Sequence, residues 1–409
     1  MKLSSVLLFP LVFFFITQYS LSWGKTPFWL FTLIFLGLLA YISLDLIKLK
    51  ESTYNRLKSI ALWVLIFLAI GSGFFSSVIS RHKTAPVYGV HDIILQQEAA
   101  IRFVLHGKNP YKETYFGTPM ESWHYSDTEV NPALYHFVME PFYLILALPF
   151  YFAGNFFFGF SDARIPLYLL MFLSLIVVWV VVKDEEKKRL FVTLLAFNPV
   201  MLPYTLEGRS DFFMFAFLIS SFYLLQKNKS LLGGILMGLA FAVKQSAWPI
   251  FPFYVAYLFF KTKKVKKTLL NLTPFLTTFL VLTLPFFFWD PKAFLDSTVF
   301  YLSGSGSHSY PVSGYGLGML LNEWRFLPNL KTYYPFIIWQ IIICLPLAVL
   351  LIKFQKQSNN VRRLILVYAI FLFVYWYLSR YFNNSHMGYL SMVFITAYFW
   401  PEDKLHNRE

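Results

Sequence analysis

Long apolar stretches separated by short polar segments recur along almost the whole chain. Each stretch approaches the ~20 residues that a helix needs to cross a bilayer. Placing the Lys- and Arg-rich connections in the cytoplasm orders the stretches into about twelve alternating helices. The pattern therefore predicts an all-α polytopic membrane protein. The expected spans are 5–22, 27–47, 59–80, 164–182, 190–206, 212–226, 231–246, 249–260, 268–288, 335–352, 362–379 and 388–400.

The stretch 141–160 is the one exception to this alternation. It is apolar enough to cross, but a crossing there would put the charged cluster 183–189 on the outer side. That cluster and the basic segment 261–267 are both expected in the cytoplasm, because Lys and Arg favour that side. We therefore expect residues 133–160 to form interfacial or re-entrant helices in a first outer loop, 81–163.

This topology divides the chain into three regions. Residues 1–58 are expected to form an N-terminal helix pair and a cytoplasmic loop. Residues 59–288 form a catalytic membrane module, and residues 289–409 contain a second outer loop, 289–334, followed by the C-terminal helices. Both chain termini are expected in the cytoplasm, and the polar outer loops are the expected place for an active site.

Composition agrees with a membrane protein and argues against a nucleic-acid-binding protein. Of the 409 residues, 57% are hydrophobic, and the formal net charge is +14. The Lys and Arg residues cluster in short loops between apolar runs, so membrane orientation accounts for the positive charge. Cys344 is the only cysteine, which excludes internal disulfides and a Cys-rich metal site. The first basic loop is expected to contain Lys48, Lys50, Arg56 and Lys58.

Asp92 stands at the first long polar interruption of the apolar pattern, between His91 and a helix expected to begin at Ile93. A carboxylate there can act as a general base, withdrawing the proton of a sugar hydroxyl as the hydroxyl attacks. It can equally be the N-cap of that helix, a position for which Asp is well suited. His91 can orient Asp92 or be an ordinary interfacial histidine.

The same side of the membrane receives a second acidic turn and a lone ammonium group. Arg209 can face a phosphate through its planar guanidinium, and Asp211 can position substrate or a divalent cation. Their alternative roles are headgroup anchor and N-cap. Lys244 lies inside a hydrophobic hairpin, where an ionisable residue suggests a function such as neutralising a lipid phosphate. Snorkelling to the outer surface is its alternative role.

Three further residues are candidates for substrate binding on the outer face. Tyr310 belongs to the Gly- and Ser-rich segment 303–316, whose hydroxyl groups and close backbone suit a sugar. A flexible linker is the alternative interpretation of that segment. Arg380 and His386 lie in the last outer loop, and Arg380 is a further candidate for holding a phosphate.

The order and spacing of these motifs resemble the integral-membrane C-type glycosyltransferase superfamily. More narrowly, they resemble the bacterial polyprenyl-phosphate-dependent mannosyl- and arabinosyltransferase-like proteins. Together the matching motifs cover about residues 59–260. They are Asp92, the segment 107–111, the segment 131–135 that opens the interfacial helices, 164–166, 208–211 and the Gly-rich hairpin that contains Lys244.

This resemblance implies an inverting, nucleotide-independent transfer of a mannose-like hexose on the extracytoplasmic face of a bacterial cell membrane. The implied donor is a polyprenyl-phosphate-linked sugar, and the implied acceptor is a hydroxyl of a glycan, glycolipid or protein, among membrane lipids. The resemblance implies that Asp92 corresponds to the catalytic aspartate of the family. Two departures are His91, where many relatives carry a second acidic residue, and Asn131, where a charged or second proline residue is often seen. No cofactor is firmly implied, and a divalent cation stays an open alternative.

Two other functions stay open at this point. A lipid-linked sugar flippase or transporter would place its polar groups near the middle of the membrane and show repeated halves. An oligosaccharide polymerase or ligase would share the layout but use a lipid diphosphate donor.

Overall fold

The structure, a computed structural model, describes residues 1–21, 26–84, 87, 89–124 and 129–402. The regular secondary structure of this part of the chain is almost entirely helical, as predicted, with a single pair of two-residue strands. The longer helices are Leu3–Phe15, Phe28–Ser43, Glu51–Thr84, Asp92–Leu105, Pro141–Phe158, Arg164–Val181, Glu185–Ala196, Asp211–Gln226, Ser230–Phe241, Phe251–Thr262, Val265–Trp289, Phe336–Gln357, Val361–Tyr377 and Asn384–Phe399. Shorter helical segments are Pro119–Ser122, Pro132–Leu134, Leu202–Glu207, Gln245–Ile250, Pro291–Leu295, Asp296–Phe300, Tyr301–Ser303 and Leu317–Glu323.

Within the residues that the structure describes, five helices are long and apolar enough to cross a membrane: Glu51–Thr84, Pro141–Phe158, Arg164–Val181, Val265–Trp289 and Phe336–Gln357. Four shorter apolar helices accompany them, namely Leu3–Gln18, Phe28–Ser43, Asp211–Gln226 and Ser230–Phe241. These helices support the prediction of a polytopic membrane protein. Judged by helix length and composition, the described part of the chain contains fewer candidate spans than the predicted number of about twelve.

The predicted span 190–206 is broken in two. One helix begins at Glu185, with Asp184 as its N-cap, and ends at Ala196. The side-chain oxygen of Asn198 then accepts hydrogen bonds from the amides of Val200 and Met201. Proline follows Asn198 and disfavours helical geometry at that residue. The apolar run therefore continues only as the short helix Leu202–Glu207.

The predicted basic loop before the third span is wrong for Arg56 and Lys58, because a helix already begins at Glu51. Lys58 is fully buried, 2.9 Å from a carboxylate oxygen of Asp45, and it donates to the carbonyl of Tyr41. A buried cation is tolerated when an anion and further hydrogen bonds surround it. The expected boundary at residue 58 thus lies within a single helix.

Hydrogen bonds tie both sides of the helix Pro141–Phe158 to the Asp92–Leu105 helix. Near its start, the carbonyl of Tyr143 accepts a hydrogen bond from Gln97, at 2.7 Å. Just after its end, the amide of Ala163 donates to Glu98, at 3.3 Å. Because Gln97 and Glu98 are neighbours, the chain has turned back towards residue 143 by residue 163. The helix has the length and hydropathy of a membrane span, so the interfacial or re-entrant arrangement stays a prediction.

All three expected regions contribute to one continuous apolar core, which includes Leu8, Phe213 and Val367. At one end of this core, the second outer loop is attached to the last helices by a two-residue parallel strand pair. Ser313–Gly314 pairs there with Tyr381–Phe382. This end of the molecule contains the candidate active site.

Candidate active site

A cavity of about 730 Å³ opens where several separate chain segments meet. They include the start of the Asp92–Leu105 helix, the turn before Asp211, the break after Phe241, the second outer loop and the start of the last helix. Asp211 lies behind the residues that line the cavity, and its side chain contacts Lys244. The other candidates from the sequence all line the cavity: His91, Asp92, Arg209, Lys244, Tyr310, Arg380 and His386.

Asp92 is the first residue of its helix, and His91 occupies the N-cap position that the sequence had offered to Asp92. Oδ1 of Asp92 lies 2.6 Å from Nδ1 of His91, and Oδ2 accepts a hydrogen bond from Asn131 at 3.2 Å. Nδ1 also lies 3.3 Å from the amide of Ile93. One ring nitrogen cannot accept that hydrogen and donate to a carboxylate at once. The shorter distance favours donation to Asp92.

The surroundings keep Asp92 ionised. Burial by itself raises the pKa of this carboxyl group, because it disfavours the charged form. The charge and hydrogen bond of His91, the hydrogen bond of Asn131 and the charge of Arg209 outweigh burial and lower the pKa of Asp92 to about 2. The cavity therefore contains a fixed negative charge at neutral pH.

A buried arginine joins the loop of Asp92 to the turn of Arg209. Arg164 donates to the carbonyl of Gly89 at 3.3 Å and to the carbonyl of Leu206 at 3.1 Å. Its charge is balanced by Asp162, at 2.7 Å. The amide of His91 also donates to the carbonyl of Glu207, at 2.8 Å. These bonds set the distance between the carboxylate and the guanidinium of the site.

Gly208 completes the same junction. Its φ of 106° lies in the left-handed region that favours glycine. A Cβ atom at this position would overlap the side chain of Ile94 in the Asp92 helix. The close approach of the two motifs therefore requires glycine here.

Lys244 lies in an extended break between the helices Ser230–Phe241 and Gln245–Ile250. Its ammonium group is 2.8 Å from Oδ1 of Asp211, whose side chain is only 3% exposed. Asp211 is the first residue of its helix rather than the N-cap, which is Ser210. Lys244 is thus paired with a buried carboxylate and lines the cavity. The pair fixes the position of its ammonium group.

Arg209 and Arg380 differ in the donors they leave for a ligand. Arg209 donates to Ser385 at 2.7 Å and lies over the ring of Tyr204. Arg380 instead donates to four backbone carbonyls of the second outer loop, which belong to Tyr310, Leu330, Lys331 and Thr332. A guanidinium has five N–H donors, so Arg380 retains one. Arg380 therefore anchors the loop, whereas Arg209 is the better placed of the two to bind a phosphate.

The Gly- and Ser-rich segment of the second outer loop is held by specific contacts and is not a free linker. The ring of His308 stacks on Tyr135 with 3.7 Å between centroids, and the carbonyl of Ser307 lies 2.8 Å from the His136 ring. Tyr310 packs against Tyr381 at the β pairing. His386 lies nearby, with its ring 4.5 Å from that of Trp376. These contacts fix the Gly- and Ser-rich segment, whose Tyr310 lines the cavity.

Two polar residues of the site were not expected as site residues. Asn131 was noted in the sequence only as part of a motif that resembles the family, yet its side-chain amide donates a hydrogen bond to Asp92. Glu140 is fully buried beside the cavity wall, and its position inside an apolar stretch gave no sign of a role. Burial raises the pKa of Glu140 to about 8, and the nearby Gln245 amide opposes this only in part. Contact across the fold, not local sequence, makes both of them part of the site.

The sequence left a divalent cation open as an alternative. In the part of the chain that the structure describes, no group of three or more His, Cys, Asp or Glu side chains is suited to a metal. The cavity is lined by an ionised carboxylate, by the cations of Arg209, Lys244 and Arg380, and by aromatic and amide groups.

Comparison with known proteins identifies the family. A model of glycosyltransferase family 87 matches residues 137–379, more than half of the chain. The match includes Arg209, Asp211, Lys244 and Tyr310, begins after Asp92 and reaches further than the motifs at 59–260. No curated protein and no solved structure matches the chain. The resemblance drawn from the sequence is confirmed: the chain belongs to glycosyltransferase family 87, a family of C-type membrane glycosyltransferases.

Proposed function

We propose that this membrane glycosyltransferase moves a mannose-like hexose from a polyprenyl phosphate to an acceptor hydroxyl, with inversion at the anomeric carbon. One observation carries the proposal. A single cavity combines an ionised carboxylate, Asp92, with the cations of Lys244 and Arg209 and an apolar side. A lipid-linked sugar phosphate presents the complementary groups, namely a hydroxyl-rich sugar, an anion and an isoprenoid chain.

The donor phosphate fits the cationic part of the cavity. Lys244 remains partly accessible, and Arg209, which also lines the cavity, donates through one terminal nitrogen to Ser385 and has a second terminal nitrogen with two further N–H donors. Cations placed at a departing phosphate stabilise the charge that grows there as the glycosidic bond breaks. Because Asp211 balances the charge of Lys244, the site without substrate does not contain two unpaired positive charges.

The isoprenoid chain fits the apolar side of the cavity, which is lined by Trp248, Ile337 and Phe371. Ile337 belongs to the helix Phe336–Gln357, one of the candidate membrane spans, and is 55% exposed. The cavity thus meets a surface suited to lipid. An apolar chain can lie there while its phosphate reaches Lys244.

The acceptor is expected on the side of the carboxylate, across the sugar from the phosphate. Asp92 supplies the negative charge that draws the proton from the attacking hydroxyl. Attack opposite the leaving phosphate in one displacement inverts the configuration of the anomeric carbon. A hydroxyl of a glycan, glycolipid or protein meets this requirement.

The end of the molecule opposite the cavity supports the proposed orientation. The amide of Ser4 donates to Glu186 there, close to Arg189 and to the buried pair of Lys58 with Asp45. Lys- and Arg-rich connections favour the cytoplasmic side, so the cavity opens to the extracytoplasmic side. We place both termini in the cytoplasm and the protein in a bacterial cell membrane.

The deciding experiment incubates the purified full-length protein with a panel of polyprenyl-phosphate hexoses and candidate acceptors. Release of free lipid phosphate together with a glycosylated product is expected. Parallel reactions with lipid diphosphate donors test the polymerase or ligase alternative. Protein-only liposomes test for movement of a sugar lipid without transfer. Activity with diphosphate donors alone, or movement alone, would overturn the proposal.

A further inference from the structure

We propose that the proton of the acceptor hydroxyl is taken by Nε2 of His91, and that Asp92 holds the imidazole and stabilises its charged form. This inference rests on the proposed transfer reaction and names the atom that acts as its base. The family resemblance and the sequence had both assigned that role to the carboxylate itself.

The geometry of the ring is the first support. Nδ1 of His91 faces Oδ1 of Asp92 at 2.6 Å, which fixes the orientation of the imidazole. Nε2 lies on the far side of the ring and has no hydrogen-bond partner among the described residues. His91 lines the cavity, beside the ring of Trp123, whose centroid is 5.9 Å away. A neutral imidazole bound through Nδ1–H presents Nε2 as a proton acceptor.

The hydrogen bonds of the carboxylate are the second support. Each oxygen of Asp92 already faces a donor, one from His91 and one from Asn131. Donors and nearby cations stabilise the ionised form of a carboxylate and so weaken it as a base. General-base catalysis is most effective when the pKa of the base lies near the working pH, a range that histidine occupies and this carboxylate does not.

Charged groups from several elements lie around the ring. Asp92 adjoins the ring, and Arg209, from the adjoining turn, and Lys244, from the helix break, line the same cavity. Glu207 offers its backbone carbonyl to the amide of His91, and its carboxylate is exposed to solvent. Asp211 balances Lys244, and Arg380 and His386 also line the cavity.

The step balances without a further reactant. The acceptor O–H bond breaks, its proton moves to Nε2 of His91, and the oxygen forms a bond to the anomeric carbon. The bond from that carbon to the phosphate oxygen breaks, and the electron pair leaves with the lipid phosphate. The imidazolium that results has Nδ1–H directed at Asp92, and it releases the proton to solvent after transfer.

The test compares His91→Asn, His91→Ala and the matched control His106→Ala in the full-length protein. Asn can still donate to Asp92 but cannot accept the proton, whereas His106 is exposed just past the end of the same helix. We expect kcat to fall about 100-fold or more in both His91 variants, with the KM for the donor lipid unchanged. Added imidazole should restore part of the turnover of His91→Ala. The His106 variant should behave as wild type.

The pH profile separates a catalytic role from a structural one. In the wild type, kcat should rise with pH as the proton acceptor becomes available, and this rise should be absent in His91→Asn. If both His91 variants keep wild-type kcat and the same profile while Asp92→Asn is inactive, Asp92 is itself the base and the inference is wrong. If the wild type uses no polyprenyl-phosphate sugar, the proposed function fails instead.

Discussion

The ammonium group of Lys244 lies 2.8 Å from a carboxylate oxygen of Asp211, although the two residues are 33 positions apart in the chain. The pair joins a helix start to a helix break, at the edge of a cavity that Asp92 also lines. Asp211 thereby holds a cation where a lipid phosphate is expected.

Removing the Lys244 charge should affect both activity and stability. Lys244→Met leaves Asp211 buried without its cation, and breaking a buried ion pair on one side costs roughly 3–5 kcal/mol. Lys244→Met/Asp211→Asn should recover most of that stability but not the transfer rate. Thermal unfolding in detergent and donor turnover measure the two effects. Recovery of turnover in the double variant would contradict a role for Lys244 at the phosphate.

Removing the Asp92 charge should stop the reaction while leaving the protein folded. Asp92→Asn keeps the shape of the side chain but loses the negative charge that faces His91. We expect turnover to fall at least about 100-fold, the lower range for loss of general-base assistance. Release of lipid phosphate measures turnover, and size-exclusion chromatography reports folding. Near-normal turnover would show that Asp92 takes no part in catalysis.

The buried Glu140 should make stability depend on pH. Its pKa is raised to about 8 by burial, so the folded state retains a proton that the unfolded state releases from about pH 4.5 upward. Stability should therefore decline between about pH 4.5 and pH 8, because the unfolded state binds fewer protons there. Glu140→Gln should remove this decline. The melting temperatures of the two proteins should differ most at pH 8, and a constant difference across the range would refute the prediction.

The protein should tolerate alanine at Gly208 less well than alanine at another glycine with a left-handed backbone conformation. Gly208→Ala adds an overlap with Ile94 to the cost of a positive φ, whereas Gly107→Ala places its Cβ in open space. A left-handed alanine costs roughly 1–2 kcal/mol in both cases. We therefore expect Gly208→Ala to lower the melting temperature further and to reduce turnover as well. Equal shifts in the two variants would mean that the loops of Asp92 and Arg209 are free to move apart.

Hydropathy and charge predicted much of this protein because they act locally. The helices Val265–Trp289 and Val361–Tyr377 lie close to the expected spans 268–288 and 362–379. Counting cations in short loops also predicted that Asp92, Lys244 and Asp211 lie on the same side of the protein, and the structure brings them to one cavity. The broken span at Asn198 was missed, since the capping bonds of one side chain outweigh a favourable apolar average.

The sequence by itself determined that the chain is helical, membrane-bound and similar to C-type glycosyltransferases, because apolar length, loop charge and motif order are properties of consecutive residues. Only the tertiary structure decided what each polar side chain contacts. It buried Lys58 against Asp45 and used Arg380 to anchor a loop. It turned His91 toward Asp92 within the cavity. Hydrogen bonds and ion pairs depend on distances of a few ångströms between remote segments, and no local pattern encodes those distances.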